Sequence, residues 1–283
     1  MVGAKPLAFR GVDWLRVVRS RRLGISICSF VVAACPLSGG VKLQVRDGRP
    51  FVDGVYVNGH GPYRFLLDTG TNMNLIESGL ARKIGMEPTF EDEVQSSTGR
   101  TLLRGSDGNV VELGPVQAAG QRFQFSKLEA LRLVWPDVRG VLGQAFLSGF
   151  DYMLDLRGKL LEFGKQNPGG NRSQFRTLDG RSAVSTSLGD LVLDSGAPRL
   201  ILFGVVPDAG ERSEMWTIAG SQSVGMVASK LAIEGRNVWQ GNAVAIPARS
   251  EPGVAGLMPL SFFRTVYVCN SERYVVLEWP AGR

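Results

Sequence analysis

From Val41 onward the chain alternates short apolar runs with Gly, Asn, Asp and Pro. No long stretch repeats at the helical period, so the pattern predicts many short strands. Val52–Val57 and Tyr63–Leu67 read as strands joined by Asn58, Gly59, His60 and Gly61, a glycine-rich hairpin turn. Ala183–Ser187 and Leu191–Leu193 repeat the arrangement around Leu188, Gly189 and Asp190. Ser78–Ile84 predicts a short helix with Ser78 as cap, Gly85 as terminator and Pro88 beyond. In the second half, apolar Leu200–Phe203 is stopped early by Gly204 and Pro207. The segment from Gly164 to Gln174 has no apolar side chain and is rich in turn formers, which marks a linker. The expected organisation is a leader at 1–34, a first lobe at 35–164 whose folded body starts near Val41, a linker at 165–174, and a second lobe at 175–283. Each lobe is near the lower end of domain size.

The two lobes read as copies of one another. Asp68-Thr69-Gly70 follows Phe65-Leu66-Leu67, and Asp194-Ser195-Gly196 follows Leu191-Val192-Leu193. A slide of 116 residues then aligns Gly140-Val141-Leu142 with Gly256-Leu257-Met258, Phe146-Leu147 with Phe262-Phe263, and Leu161-Glu162-Phe163 with Leu277-Glu278-Trp279. The interval from the aspartate to this second block is 72 residues in the first copy and 62 in the second. An acid followed by Ser or Thr and Gly is also ordinary turn chemistry. Two copies, each with a matching downstream block, argue against that reading.

Charge changes the picture less than the net value suggests. The chain of 283 residues carries 32 basic and 26 acidic residues, but six bases and one acid fall within 1–34, leaving 26 against 25. That balance gives no basic face for nucleic acid. The leader itself has a basic segment ending at Arg22, an apolar stretch from Leu23 to Ala34 and then small residues, the plan of an export signal. An apolar stretch of that length is too short to span a bilayer comfortably as a helix. Val32-Ala33-Ala34-Cys35 resembles a bacterial lipobox, in which Cys35 would be lipidated and attach the chain to a membrane; a plain signal peptide cleaved near Ala34 or Gly39 fits equally. The expected location is therefore periplasmic or cell-envelope. Cys28 falls within this leader and Cys35 at its end, so Cys269 alone of the three cysteines remains in the folded body and no internal disulfide is available.

The candidate chemistry rests on Asp68 and Asp194. Duplicated lobes related by an approximate two-fold would bring them together at the seam, where two carboxylates cannot both ionise cheaply and one proton is held between them. Such a pair can hydrate an amide directly, one carboxylate taking a proton from water while the protonated partner donates to the carbonyl oxygen. Thr69 and Ser195 place hydroxyls where they can bond across to the opposite loop, and Gly70 and Gly196 remove a side chain where backbone must approach closely. Thr71, matched by Ala197, suggests a hydroxyl donor for Asp68 alone, which would make Asp68 the charged base and Asp194 the resting proton carrier. The single histidine, His60, lies in the expected hairpin turn, and zinc sites or His-dependent triads lack the parts. No metal or organic cofactor is expected.

Phe65-Leu-Leu-Asp-Thr-Gly70 together with Gly140-Val-Leu-Gly-Gln-Ala-Phe-Leu147 resembles the retropepsin-like aspartic proteases. The resemblance implies an all-β, two-lobed acid-protease fold with few short helices, both lobes carried on one chain as in pepsin, and a monomer. It also implies that Val141-Leu142-Gly143 forms the loop crossed by the catalytic strand, that Phe146 and Leu147 start a short helix, and that hairpins near Ser96–Arg100 and Ile218–Gln222 act as flaps. The second copy departs from the family pattern at Pro259, which aligns with Gly143 and removes a backbone donor. The expected function is an aspartic endopeptidase acting on peptide or protein substrates. The alternative is a catalytically silent two-lobed peptide-binding or scaffold protein. A carboxylate-pair glycosidase would need acids spaced for a sugar ring.

Overall fold

The computed structural model describes residues 8–10, 16–22, 32–34, 40–96, 99–208, 212–217, 220–247 and 252–279. Cys35, the expected lipidation site, and most of the expected leader lie outside the described residues. Within that leader Ala8–Arg10, Arg16–Arg22 and Val32–Ala34 are strands that pair with Arg212–Thr217, Phe90–Ser96 and Val116–Ser126. The architecture is the all-β, two-lobed acid-protease fold, with three short α-helices among the described residues, at Ser78–Lys83, Glu129–Val134 and Gln144–Leu147.

Strand register carries the duplication further than the motifs do. Asp68 immediately follows, and Asp194 ends, the second strand of a hairpin, Arg49–Val57 with His60–Leu67 in the first lobe and Arg181–Thr186 with Gly189–Asp194 in the second. The first hairpin turns on Asn58 and Gly59, both at positive φ (52° and 76°), the twist-compatible turn that Asn-Gly favours. Each aspartate strand then pairs in parallel with the downstream block. Phe65, Leu66 and Leu67 face Gly140, Val141 and Leu142, while Leu191, Val192 and Leu193 face Gly256, Leu257 and Met258. The residues that the 116-residue slide equates therefore occupy equivalent places on equivalent strands.

Both faces of these strands are buried, which explains why they read as continuous apolar runs. Alternation decides which core each side chain joins. Phe65, Leu67, Leu191 and Leu193 enter one cluster that spans both lobes, with Leu142, Phe146, Met258 and Leu260. Leu66 points instead to a first-lobe cluster with Phe51, Leu75, Trp135 and Val141, and Val192 to a second-lobe cluster with Ala183, Ile201, Met215 and Leu257. The lobes share a core as well as a seam.

A sheet also crosses between them. Tyr152–Asp155 pairs antiparallel with Thr265–Cys269, Tyr152 opposite Val268. Those two residues are themselves 116 apart, so the pseudo-two-fold passes through this pair. The strand order across it runs Arg172–Gln174, Tyr274–Glu278, Thr265–Cys269, Tyr152–Asp155, Leu160–Phe163 and Val41–Arg46. The end of the expected linker, Arg172–Gln174, is thus an edge strand of the interlobe sheet.

The expected helix after the first aspartate forms over Ser78–Lys83, but its cap is Glu77, whose carboxylate accepts from the Gly79 and Leu80 N–H groups at 2.9 Å each. Ser78 is the first helical residue, one position beyond the cap. Gly85, at φ 73°, terminates the helix as expected.

Candidate active site

The two Asp-[Thr/Ser]-Gly loops meet back to back through four hydrogen bonds. The Thr69 N–H donates to Ser195 Oγ (3.0 Å) and the Ser195 N–H to Thr69 Oγ1 (3.0 Å). Each hydroxyl then donates past its partner, Thr69 Oγ1 to the Leu193 carbonyl (2.7 Å) and Ser195 Oγ to the Leu67 carbonyl (2.8 Å). Each hydroxyl donates its single O–H and accepts one bond. Both are buried, so the cross-lobe bonds form away from competing water.

Asp68 and Asp194 are likewise buried, 0% and 1% exposed. Asp68 Oδ1 accepts from the Gly70 N–H (2.9 Å); Asp194 Oδ1 accepts from Gly196 (2.7 Å) and Ala197 (2.9 Å). The carboxyls lie within hydrogen-bonding reach of one another. Their remaining oxygens, Oδ2 of each, have no protein donor. Two buried carboxyls at one site cannot both ionise cheaply, so the pair favours holding a proton. Sugar-spanning geometry is excluded, because a glycosidase pair stands about 5 Å or more apart.

The glycines are required by the opposite acid. A Cβ at Gly70 would sit 2.2 Å from Asp194 Cγ, and one at Gly196 would sit 2.7 Å from Asp68 Cγ. No side chain fits in either place.

Burial pushes both carboxyls above the usual aspartate range, Asp68 well above it. For Asp68, desolvation is followed by repulsion from Asp194, with the Gly70 N–H opposing. For Asp194, desolvation is opposed first by the Ala197 and Gly196 N–H groups. The two N–H donors on Asp194 Oδ1 favour its charged form, and the two carboxyls titrate as one coupled pair. The expectation from Thr71 and Ala197 placed the charge on Asp68; the Ala197 N–H is a donor to Asp194 that comparing side chains alone does not count.

Residues 54–146 match the aspartyl protease family model. The matched segment runs from the first aspartate hairpin through the helix at Gln144–Leu147, so it contains Asp68, Thr69, Gly70, Thr71 and nearly all of the Gly140–Leu147 block and ends before the second lobe. It supports peptide-bond hydrolysis in general terms. No curated protein matches the chain.

Beneath the first loop, Val141 and Leu142 end a strand that pairs in parallel with the aspartate strand, instead of the expected loop, and Gly143 caps the helix that follows. The Asp68 N–H donates to the Leu142 carbonyl (3.0 Å) and the Gln144 N–H to the Thr71 carbonyl (2.9 Å). Two side chains that sequence reasoning passed over complete it. Asn74 Oδ1 accepts from the Gly143 N–H (3.1 Å), and Gln144 Nε2 donates to the Thr69 carbonyl (3.0 Å).

The second lobe replaces this wiring. Ile201 faces Leu257 as Leu75 faces Val141, which makes Leu200 the counterpart of Asn74. Pro259 takes the place of Gly143 and Leu260 that of Gln144. Pro259 has no N–H, so the acceptor that Asn74 supplies is not needed, and Leu200 is fully buried where it would stand. The departure at Pro259 is matched by its neighbours, and Asp194 keeps both of its backbone donors.

The expected flap positions fall at hairpin tips, Phe90–Ser96 turning into Gly99–Leu113 and Arg212–Thr217 into Gly220–Ile233. Tip residues 97, 98, 218 and 219 lie outside the described residues. His60 is exposed in its hairpin, far in role from the acids.

Proposed function

We propose that this chain is an aspartic endopeptidase in which Asp68 and Asp194 activate one water between them. Asp194, held as the anion by two N–H groups, takes a proton from the water. Asp68, protonated, donates to the carbonyl oxygen of the scissile amide, and no covalent intermediate forms. The observation that carries this reading is the buried, mutually facing carboxyl pair at the junction of two interlocked loops. A structure gains little from burying like charges together, so function is the better account. Thr69, Ser195, Gly70, Gly196 and Thr71 support the loops. An extended peptide would pair its backbone with the two hairpins.

The test is hydrolysis of a peptide library from acid to neutral pH. A bell-shaped profile that Asp68→Asn and Asp194→Asn each abolish supports the peptidase. Peptide binding without turnover in the unaltered chain selects the silent two-lobed scaffold instead. We read the leader as an export signal and the mature protein as a monomer of the periplasm or cell envelope, either lipidated at Cys35 or released by plain cleavage. Mass spectrometry of the mature N-terminus decides between lipidated Cys35 and a plain cleavage.

A further inference from the structure

The turn Asp-Gly-Arg occurs twice, at Asp47-Gly48-Arg49 and at Asp179-Gly180-Arg181. In both, the Asp and Gly adopt positive φ, 49° and 77° in the first, 47° and 77° in the second, the hairpin geometry that Asp-Gly favours. The arginine starts the strand beside the aspartate strand. Register makes the two equivalent, because Phe51 faces Leu66 while Ala183 faces Val192. Both arginines are buried, 1% and 0% exposed, and both reach across the seam. Arg49 Nε donates to the Gly196 carbonyl at 2.7 Å, and Arg181 Nη1 donates to the Gly70 carbonyl at 3.3 Å. The turns lean the same way. Gly48 approaches Ser261 of the second lobe, and the Asn72 amide of the first lobe donates to the Asp179 carbonyl and carboxylate.

Around these arginines the copies have diverged at Phe51/Ala183, Thr71/Ala197, Asn74/Leu200 and Gly143/Pro259. The guanidinium stays in both. Burying one is costly, and an apolar side chain of similar size is often neutral or better for stability. Packing alone does not account for the pair.

Arg49 touches more than a carbonyl. The Gly196 C=O and the Ala197 N–H belong to one peptide unit, and that N–H donates to Asp194 Oδ1 at 2.9 Å. A cation on the oxygen polarises the amide and makes its N–H a stronger donor. On the other side the contact from Arg181 is longer, and the N–H of the peptide it holds, that of Thr71, lies 3.5 Å from the Asp68 carbonyl oxygen.

We propose that Arg49 is a positioning residue that acts through the Gly196–Ala197 peptide to hold Asp194 as the anionic member of the pair, with Arg181 making the weaker mirror contact on the Asp68 loop. The inference rests on the dyad described under Proposed function and adds what sets its asymmetry. Each guanidinium also favours ionisation of the aspartate in its own lobe, Arg49 of Asp68 and Arg181 of Asp194. The peptide relay selects between them.

The test uses the full chain with Arg49→Met, Arg49→Lys, Arg181→Met and Arg181→Lys, followed by pH–rate profiles and by unfolding between pH 4 and 8. Arg49→Met is expected to move the acid limb of the profile up by about one pH unit, and Arg181→Met by less. Arg49→Lys keeps the charge without the planar donor, so the limb stays while kcat falls about tenfold with KM little changed. In unfolding, Arg49→Met loses more stability at pH 7 than at pH 4, and that difference disappears in the Asp68→Asn/Asp194→Asn background. A loss of stability independent of pH, or one unchanged in that background, overturns the proposal. If Arg49→Met does not fold, the lysine variant decides, and wild-type kcat in Arg49→Lys overturns it. Absence of hydrolysis by the unaltered chain, with the pH-dependent stability difference intact, would sink the peptidase reading and leave the arginine assignment standing.

Discussion

The two lobes hold their aspartates on equivalent strands with different side chains beneath them. In the first lobe Asn74 and Gln144 wire the loop to Gly143 and Thr69 through buried amides, whereas Leu200, Pro259 and Leu260 fill the same places in the second. The first solution needs every donor matched. The second removes donor and acceptor together, and an apolar pair of the same shape can be nearly neutral where one orphaned partner is expensive. What both lobes keep is the set of contacts that cross the seam: the Thr69/Ser195 exchange, the two glycines and the two arginines. Divergence is tolerated inside a lobe and restricted between lobes, because a contact across the seam answers to both copies.

The comparison breaks most severely at the glycines. Gly70→Ala and Gly196→Ala should each abolish hydrolysis and lower stability by about 3 kcal/mol through overpacking, Gly70→Ala more so, since its Cβ would meet Asp194 Cγ at 2.2 Å against 2.7 Å for the other. Chemical denaturation with a parallel peptide assay ranks them.

Next come the beams under the loops. Asn74→Leu leaves the Gly143 N–H without its acceptor and should cost about 2 kcal/mol. Leu200→Asn should cost about as much by burying an amide opposite Pro259. Adding Pro259→Gly to Leu200→Asn rebuilds the first-lobe arrangement, so the double variant should be more stable than the sum of the two singles predicts, as read in a double-mutant cycle. Strict additivity would show that Asn74 and Leu200 are not interchangeable parts. The reverse graft fails on sterics, because a Cβ at Gly143 would stand 2.2 Å from the Met73 carbonyl oxygen.

A pH series sharpens the asymmetry of the acids. Both folded carboxyls sit above the ordinary aspartate value of 3.8, Asp68 the further. Stability from a raised pKa is fully present below the ordinary value and is lost as pH rises through the folded one, at about 1.4 kcal/mol for each pH unit separating the two. Unfolding midpoints should therefore fall from pH 4 toward neutrality, and Asp68→Asn should flatten that fall more than Asp194→Asn does. The smallest effect is local to the first lobe, whose helix at Ser78–Lys83 has no counterpart among the described residues of the second. Glu77→Ala removes its cap and should cost about 1 kcal/mol in a thermal melt, with hydrolysis retained.

Much of this was legible in the residues. The strands, the Asn58-Gly59 hairpin, the Gly85 stop, the duplication and the two acids follow from periodicity, turn chemistry and an internal repeat. The helix cap stands one residue before the expected Ser78 because a glutamate side chain reaches the same N–H groups that a serine would. Asn74, Gln144 and the arginines escaped for a different reason. Their partners lie between 69 and 147 positions away, and an isolated Asn, Gln or Arg carries no local sign of what it will meet. The repeated Asp-Gly-Arg is the one available signal, and locally it announces only a turn.

What the linear chain determined by itself is the set of short strands, their two-fold repetition and the residue types delivered to each loop, since those depend on neighbours a few positions apart. Only the tertiary structure decided how the two buried aspartates meet, why Pro259 leaves the second loop intact and what the buried guanidiniums hold. Each of these is a balance of desolvation and hydrogen bonding between groups that share no local sequence, and such a balance exists only once the lobes have closed on one another.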